Sequence, residues 1–308
     1  MLLPLLLLAA APGPVDLPVP EALRAKTCQP ELSGITWVPQ LRRYLVLSDD
    51  TGLLDTPSWH SPWLFSLDVE GRFDPAPRVL EGLDELDDAE SITPGPEGTY
   101  FLTTSHALSK KGKSKPPRRQ LLWLALEGER LRAKGRFDLT TFALPELVTG
   151  HEAELDIEAL AFRDGALFVG LKAPLDDAGR AAIVRIDDAT ALFTGGKKRA
   201  LPQPRVWARP KLEVPDAEGK PVPEGVTDLL FLPDGTLLVA ANAPKSGAPD
   251  GGGAVWRLAG PDAAPVLVQR FPGLKPEGLT LSPDGRQVVV VFDRGPEAAQ
   301  WVRLPLPR

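Results

Sequence analysis

One short pattern occurs five times in this sequence, and an internal repeat constrains the fold more strongly than any other feature. Each copy begins with a polar residue, continues with a small or short residue and then an aliphatic one, and predicts the start of a strand. A tight polar turn follows each copy, and Asp-Gly in three of these turns is typical of a β-hairpin. The copies are Ser33-Gly34-Ile35, Glu90-Ser91-Ile92, Glu158-Ala159-Leu160, Thr227-Asp228-Leu229 and Glu277-Gly278-Leu279.

Further apolar runs follow each turn at regular intervals. The second strand of each copy ends on a polar residue, and these strands are predicted at 44–49, 100–106, 166–172, 236–242 and 287–293. Third strands follow longer loops, at 63–69, 121–126, 182–187, 254–259 and 300–306. A fourth strand is visible in four copies, near 78–80, 131–137, 205–214 and 265–271.

Four antiparallel strands in each repeat are the unit of a β-propeller. We therefore predict an all-β fold with five blades, or six if one blade has diverged within 127–156 or 187–226. The last copy lacks a fourth strand, and residues 15–27 have no repeat of their own. We expect this N-terminal segment to close the ring as the outer strand of the last blade, which removes an exposed edge. Residues 15–308 would then form one propeller domain.

Composition and the N-terminal segment limit the location and partners of the protein. The net charge of −6 argues against nucleic-acid binding, which needs a basic face. The apolar run 1–11 is too short to span a bilayer but resembles the core of a secretory signal. We expect residues 1–14 to be signal-like and the protein to be an exported monomer, periplasmic or extracellular. An uncleaved apolar tail or a misplaced start codon is the alternative. Cys28 is the single cysteine, which excludes an internal disulfide and suggests a buried thiol.

Antiparallel pairing predicts which face of the propeller carries function. The start of a first strand lies beside the end of the second strand, and first strands line the central channel. One channel mouth should therefore collect Ser33, Glu90, Glu158, Thr227 or Asp228, and Glu277. The ends of the second strands should lie near it, namely Asp49, Asp50, Ser105, His106, Lys172, Asn242 and Asp293. The longer loops also leave from this face, where binding and catalysis are usually found.

Three glutamates at one mouth would repel each other, and three arrangements would relieve the repulsion. A calcium ion suits carboxylate and amide oxygens. The ligands would be Glu90, Glu158, Glu277, Asn242 and Asp49. In a salt-bridge network, Lys172 and His106 would supply the counter-charges. In the third arrangement the glutamates share protons and no metal is bound.

A basic loop lies next to this predicted mouth. Residues 106–119 contain six lysines and arginines in an otherwise acidic protein. Such a run is either a solvated loop or an anion clamp over the mouth. In a clamp, Arg118 and Arg119 would hold phosphate or carboxylate groups, because a guanidinium can bind two oxygens at once.

Several segments resemble known families. Residues 32–50, 88–92, 156–162 and 275–286 resemble the propeller family described as having the esterase-like activity of phytase. Residues 104–126 resemble a bacterial family of unknown function, DUF3616. The resemblance implies a propeller with ester-hydrolase chemistry. Calcium-dependent lactonase propellers are related by fold-level analogy, and they use a glutamate at a blade start and Asn or Asp at strand ends. By that analogy Asp293 joins Asn242 and the glutamates as a metal ligand, whereas Lys172 opposes a metal.

Two functions of different classes follow from these observations. The first is an exported hydrolase, with or without calcium assistance, that acts on a small anionic ester such as a phosphoester or lactone. Its candidate catalytic residues are Glu90, Glu158, Glu277 and His106, and its candidate substrate-binding residues are Lys172, Arg118 and Arg119. The second is a non-catalytic propeller that binds a ligand or partner at the same mouth. The sequence leaves open whether the protein is an enzyme.

Overall fold

A computed structural model provides the structure, which describes residues 12–27, 29–49, 63–109, 111–194, 200–216, 218–243, 252–295 and 297–307. Cys28, Asp50, Lys110 and residues 1–11 lie outside the described residues, so the predictions made for them stay predictions. None of the helices in the described ranges is long and apolar enough to cross a membrane.

The described part of the chain consists mainly of short strands. In chain order they are β1 (Val15–Asp16), β2 (Leu32–Val38), β3 (Arg43–Ser48), β4 (Trp63–Leu67), β5 (Arg78–Val79), β6 (Ala89–Pro94), β7 (Thr99–Thr104), β8 (Leu121–Glu127), β9 (Arg130–Phe137), β10 (Asp156–Arg163), β11 (Ala166–Ala173), β12 (Ala182–Ile186), β13 (Pro204–Ala208), β14 (Glu213–Pro215), β15 (Pro221–Pro223), β16 (Gly225–Phe231), β17 (Leu237–Asn242), β18 (Gly253–Leu258), β19 (Val266–Phe271), β20 (Lys275–Leu281), β21 (Gln287–Asp293) and β22 (Gln300–Pro305). The helices are α1 (Glu21–Arg24), α2 (Leu144–Thr149) and α3 (Ala191–Thr194), and 3₁₀ turns occur at Pro96–Gly98, Pro116–Arg118 and Leu139–Phe142.

Five four-stranded antiparallel sheets form the blades of a β-propeller. Blade one is β2 to β5, blade two β6 to β9, blade three β10 to β13 and blade four β16 to β19, while blade five joins β20, β21 and β22 to β1. The five-blade prediction is therefore confirmed. The described residues contain no sixth four-stranded sheet, which leaves β14 and β15 as a separate two-stranded hairpin.

The apolar core lies between neighbouring blades. Five clusters of buried apolar side chains occur in the described ranges, one at each of the five blade interfaces. A four-stranded sheet has two faces, and stacking the blades around an axis buries both of them. The cluster between blades five and one contains Ile35, Tyr44 and Val291, so the ring is closed by the same kind of packing that joins the other blades.

The N-terminal segment closes the ring as predicted. Val15 pairs with Trp301 and Asp16 with Gln300, and the Leu17 amide donates to the Ala299 carbonyl at 2.7 Å. The segment is also anchored by side chains, because Leu17 and Leu23 are fully buried in the cluster between blades five and one. The strand is only two residues long, and packing of the following residues carries much of the attachment.

One predicted strand is wrong in its extent. The run 205–214 is interpreted above as one strand, but β13 ends at Ala208 and β14 begins a separate hairpin at Glu213. Pro210 lies between them and has no amide hydrogen to continue a ladder. Its carbonyl instead accepts a hydrogen bond from the Ala181 amide at 3.1 Å, which turns the chain away from blade three.

Candidate functional site

A β-bulge lies near the start of the first strand of every blade. In each case the register between the first and second strands shifts around one position. A bulge re-aims the side chain at that point, and bulges are frequent next to active sites. The five residues at this position, called the mouth ring below, are Ser33, Glu90, Glu158, Thr227 and Glu277. Blade four contributes Thr227 to the mouth ring, and Asp228 is the residue that follows it.

In the chain, a small residue follows the mouth-ring residue wherever the first strands of two blades approach each other closely. A Cβ atom added to Gly34 would lie 2.7 Å from the Glu90 carbonyl oxygen. A Cβ added to Gly278 would lie 2.7 Å from a Val291 methyl and 3.0 Å from the Ile35 amide nitrogen. Glycine permits this approach because it has no side chain to collide with the adjacent blade. The small second residue of the repeat therefore sets the width of the channel.

The mouth ring opens into an acidic cavity of about 340 Å³. Eight carboxyl groups and two lysines line it among the described residues. The carboxyl groups belong to Glu31, Asp49, Asp88, Glu90, Asp156, Glu158, Glu277 and Asp293, and the lysines are Lys172 and Lys275. The cavity therefore attracts cations and repels anions unless the carboxyl groups are neutralised.

The two hydroxyl members of the mouth ring hold their neighbouring blades in place. The Ser33 hydroxyl donates to the Ala89 carbonyl at 2.6 Å, and the Thr227 hydroxyl donates to the Pro276 carbonyl at 2.6 Å. Each acceptor is the residue just before a glutamate of the ring. These two bonds thereby fix the backbone that presents Glu90 and Glu277.

Lys172 bridges two of the three glutamates. Its Nζ lies 2.6 Å from Glu158 Oε1 and 3.8 Å from Glu277 Oε1. The Asn242 amide also donates to Glu277 Oε1, at 2.8 Å. All four residues are buried, so this cluster carries one cation for two carboxyl groups. The arrangement is the predicted salt-bridge network, but only for this half of the mouth.

Burial and charge shift the pKa values of this cluster. Burial raises the pKa of Glu158 to about 8, with Lys172 opposing the increase and Glu277 adding to it. Burial also raises the pKa of Glu277, again against the effect of Lys172. Burial alone would lower the pKa of Lys172, but Glu158 and Glu277 together hold it well above its usual value. The single ammonium of Lys172 therefore opposes the increase in pKa of both glutamates but does not cancel it.

The other half of the mouth is a group of three carboxylates. Asp49, Asp88 and Glu90 each place a carboxylate oxygen within 4.8 Å of the others. Burial raises the pKa of Glu90 well above its usual value, and the charges of Asp88, Glu158 and Asp49 raise it further. Asp88 is ion-paired with Arg118, whereas no side chain in the described ranges forms an ion pair with Glu90.

His106 lies beneath the surface and not in the cavity. Its Nδ1 lies 2.8 Å from the Thr104 carbonyl oxygen, and its Nε2 accepts a hydrogen bond from the Leu139 amide at 3.3 Å. This pattern requires a neutral ring with the proton on Nδ1. Burial lowers the pKa of His106 to about 4, so the ring is no counter-charge for the glutamates at neutral pH. His106 therefore lies outside the candidate site.

The basic loop is tied to the rim of the mouth by ion pairs. Arg118 contacts Asp88 and lies 3.6 Å from Asp87, and Lys115 lies 3.1 Å from Asp87. Arg119 lies 3.5 Å from Asp138, away from the cavity. Neither arginine lines the cavity, so Arg118 acts on the site through Asp88 and Arg119 is not brought to it.

A hydrogen-bonded network, called the plug below, spans the channel beneath the mouth ring. Asp228 accepts hydrogen bonds from the Leu279 amide at 2.6 Å and from the Ser91 hydroxyl at 3.0 Å. Ser91 in turn accepts from the Leu160 amide at 3.1 Å. Burial raises the pKa of Asp228 well above its usual value. These bonds join blades two, three, four and five, so the acidic cavity has a floor.

The residues present fit calcium at one half of the mouth. Hard oxygen donors are what calcium prefers. Of the predicted ligands, Asp49 and Glu90 belong to the three-carboxylate group, whereas Glu158 and Glu277 are bound to Lys172. Asp293 is paired with Lys275 at 3.2 Å. The structure therefore supports a smaller set of candidate ligands than the sequence suggests, namely Asp49, Asp88 and Glu90.

Asp88 is the functional candidate that sequence reasoning missed. It precedes Glu90 by two residues, and its φ of 62° places it in the left-handed region, where aspartate occurs more readily than most residues. That backbone conformation is not visible in the repeat pattern. The signal that could have found it is the acidic run 84–90, which brings several carboxyl groups to the start of β6.

A family model described as phytase-like, with esterase-like activity of phytase, matches residues 30–259. No curated protein matches the sequence significantly.

Two solved structures resemble this chain at low sequence identity. An exo-β-1,3-galactanase from Phanerochaete chrysosporium is 9% identical with a TM-score of 0.52, and the alignment covers 91% of this chain and 60% of that one. The soluble aldose sugar dehydrogenase of Escherichia coli is 12% identical with a TM-score of 0.48, and the alignment covers 96% and 99% of the two chains. At these identities the likeness concerns the fold alone.

Proposed function

The chain belongs to the family described by the esterase-like activity of phytase, and from this premise we propose that it is a calcium-assisted hydrolase of a small anionic ester, such as a phosphoester or lactone. The observation that carries the proposal is the division of one acidic cavity into two halves. A three-carboxylate group without a lysine lies beside a glutamate that is held by Lys172.

An anionic substrate requires a cation at this mouth. The carboxyl groups outnumber the lysines in the described lining, so an anion alone would be repelled. Calcium held by Asp49, Asp88 and Glu90 would supply positive charge that attracts the substrate and polarises its ester group. Arg118 would keep Asp88 in place for this role through their ion pair.

Glu158 is the proposed general base. Its Oε1 is fixed by Lys172, while its Oε2 is buried and has no hydrogen-bond partner among the described residues. A pKa of about 8 is close to neutral pH, which suits a group that accepts and returns a proton. Water would lose a proton to Oε2 as its oxygen attacks the ester. The bond between the ester carbon or phosphorus and its leaving oxygen would then break, and that oxygen would take the proton from Glu158 and depart as an alcohol.

Lys172 has two roles in the proposal. An ammonium group has three N–H donors. The described partners of Lys172 are the carboxyl groups of Glu158 and Glu277, so a remaining donor is available to a substrate oxygen. Asn242 holds Glu277 on the far side and thereby keeps Lys172 between the two glutamates.

The test is turnover of p-nitrophenyl phosphate and p-nitrophenyl acetate, with calcium or with chelator. Calcium-dependent hydrolysis should be detected, and Glu158→Gln should reduce kcat by about 100-fold, the usual lower range for loss of a general base. Lys275→Met provides a control for loss of a cavity lysine that has no part in the reaction. Turnover that is equal in chelator would remove calcium from the proposal.

A second candidate function is favoured by the ion pairs already present. Lys172 is ion-paired with Glu158 and Glu277, and Arg118 is ion-paired with Asp88. Much of the charge at the mouth is therefore neutralised without a ligand. A non-catalytic propeller could bind a small molecule at this mouth with these ion pairs alone, without a further cation. Calcium binding without turnover of either ester would favour this second function.

We also propose export to the periplasm or the medium, directed by residues 1–14. Sequencing the N-terminus of protein recovered outside the cytoplasm tests this. A cleaved form that begins near residue 12 to 15 supports export, and intact protein confined to the cytoplasm contradicts it.

A further inference from the structure

A second cavity lies at the opposite mouth of the channel. Its volume is about 400 Å³, and all five blades contribute to it. None of the described residues that line it is charged, in contrast to the acidic cavity at the other end. A volume of this size lies in the range that small-molecule sites occupy.

Three threonines from adjacent blades form a polar wall. Along β2, Ile35 and Trp37 pack toward blade five, so the intervening Thr36 lies on the face toward blade two, where it lines the cavity. Thr93 in blade two and Thr280 in blade five occupy the matching positions and also line the cavity. Blades five, one and two are neighbours, which places the three hydroxyl groups on one side.

One of these hydroxyl groups lacks a partner. Thr36 is 1% exposed, and its Oγ1 has no hydrogen-bond partner among the described residues. Thr280 Oγ1 accepts a hydrogen bond from the Trp37 amide at 3.2 Å, so its own O–H is still able to donate. A buried hydroxyl without a partner is costly, and such groups in a folded protein are uncommon. Thr36 and Thr280 therefore each retain an unused hydroxyl donor at this wall.

The opposite wall is apolar. Blades three and four place Ala161 and Leu230 at the positions where the other blades have threonine. Phe162 and Phe231 lie one residue further along these strands, at the rim, and both are partly exposed. Aromatic side chains present large apolar surfaces with a defined orientation. The cavity is thus amphipathic, with hydroxyl groups on one side and hydrocarbon on the other.

We propose that this cavity binds a small uncharged molecule that combines an apolar ring with a carbonyl or ether oxygen. The ring would lie against Ala161, Leu230 and the two phenylalanines, and the oxygen would accept a hydrogen bond from Thr36. A charged molecule is disfavoured, because the described lining offers no opposite charge to repay the loss of hydration.

The surroundings of the cavity favour a small molecule over a protein partner. The large apolar side chains that are well exposed in the described ranges are Val15, Leu108, Leu147, Val266 and Leu267. None of them lines this mouth, so no apolar patch extends outwards from it. The plug at Asp228 separates the cavity from the acidic mouth, and the proposal does not depend on the proposed hydrolysis.

Acetophenone and benzoate provide a matched pair of probes, since both carry a carbonyl group on a benzene ring and only benzoate is charged. Saturation-transfer NMR should show binding of acetophenone in the millimolar range and much weaker transfer to benzoate. Thr36→Val removes the unpartnered hydroxyl with little change in shape, and should weaken acetophenone binding roughly three- to tenfold, the effect of losing one hydrogen bond. Ala161→Leu should abolish binding by filling the cavity.

Thr194→Val, on α3 at the outside of the propeller, is the control and should bind acetophenone like the unmodified protein. Melting curves check that each variant is folded. If Ala161→Leu does not fold, Thr36→Val still decides the matter, because losing an unpartnered buried hydroxyl should not destabilise the protein. No transfer to acetophenone, equal transfer to both probes, or unchanged binding by Thr36→Val would each overturn the proposal.

Discussion

Lys172 has the most constrained environment of the residues at the acidic mouth. It is buried between Glu158 and Glu277, and the pKa values of all three groups are shifted by burial and by each other's charge. A buried ion pair is weak evidence for stability as such, but removing one partner leaves an uncompensated charge. Replacing Lys172 should therefore change the stability of the protein, which can be measured without knowing the substrate.

Lys172→Met should destabilise the protein by about 3–5 kcal/mol at neutral pH, because two buried carboxyl groups then face each other without a cation. The loss should be smaller near pH 5, where protonation relieves the repulsion. Denaturant unfolding at both pH values measures this. Lys275→Met is the matched control, since Lys275 is half-exposed in its pair with Asp293 and should cost less than about 1 kcal/mol. Equal losses in the two variants would contradict the assignment.

The pH dependence of stability should report Glu158. Its pKa in the folded protein is about 8, above the usual value of 4.5, so the native state binds more protons than the unfolded state between these values. The free energy of unfolding should therefore fall as pH rises through this interval. Glu158→Gln cannot titrate and should flatten that slope. Parallel pH profiles for the two proteins would show that Glu158 does not hold the shifted pKa.

The sequence predicts the positions of the mouth-ring residues but not the contacts that their side chains make. The repeat period reveals equivalent positions, and Glu90, Glu158 and Glu277 do occupy them. Which glutamates Lys172 contacts depends on side-chain rotamers and on the bulge opposite it, which no periodicity encodes. The orientation of His106 depends on a backbone φ of 58°, and its contacts with Thr104 and Leu139 arise from the fold.

At the scale of elements, the repeated hairpins are the most predictable feature. Asp164 and Gly165 both have positive φ values, 50° and 78°, as a tight two-residue hairpin turn requires. Asp234 and Asp284 each accept a hydrogen bond from the amide two residues later, which stabilises the turn before the second strand. Apolar runs around such turns predict strands because local chemistry and tertiary packing agree. The run 205–214 failed because a proline interrupts it.

The N-terminal strand is predicted to matter through both pairing and packing. Deleting residues 1–27 should destabilise the protein by at least about 3 kcal/mol more than deleting 1–14, because Leu17 and Leu23 are then lost from the core. Melting temperatures of the two truncated proteins compare them directly. Leu17→Ala in the full chain should show part of the same loss. Equal melting temperatures for the two truncations would contradict closure by this segment.

At the scale of the whole molecule, ring closure brings residues far apart in sequence to one place. Asp49 follows β3 in blade one, Asp88 precedes β6 in blade two, and Lys275 begins β20 in blade five, yet all three line one cavity. The same closure separates two mouths of opposite character, one acidic and one uncharged. The sequence predicts that such mouths exist, because five similar repeats must surround a channel. Their chemistry depends on which blade carries which residue at each level.

The proposed function depends most on the division of the acidic mouth into a cation site, Asp49, Asp88 and Glu90, and a lysine-held pair, Glu158 and Glu277. The direct measurement is the melting temperature of the unmodified protein, Glu90→Gln and Glu158→Gln, titrated with calcium from a chelator-treated start. Calcium should raise the melting temperature of the unmodified protein progressively, because a ligand bound only by the native state stabilises it. Glu90→Gln should lose this response, and Glu158→Gln should keep it. No response in the unmodified protein, or a response kept by Glu90→Gln and lost by Glu158→Gln, would contradict the account.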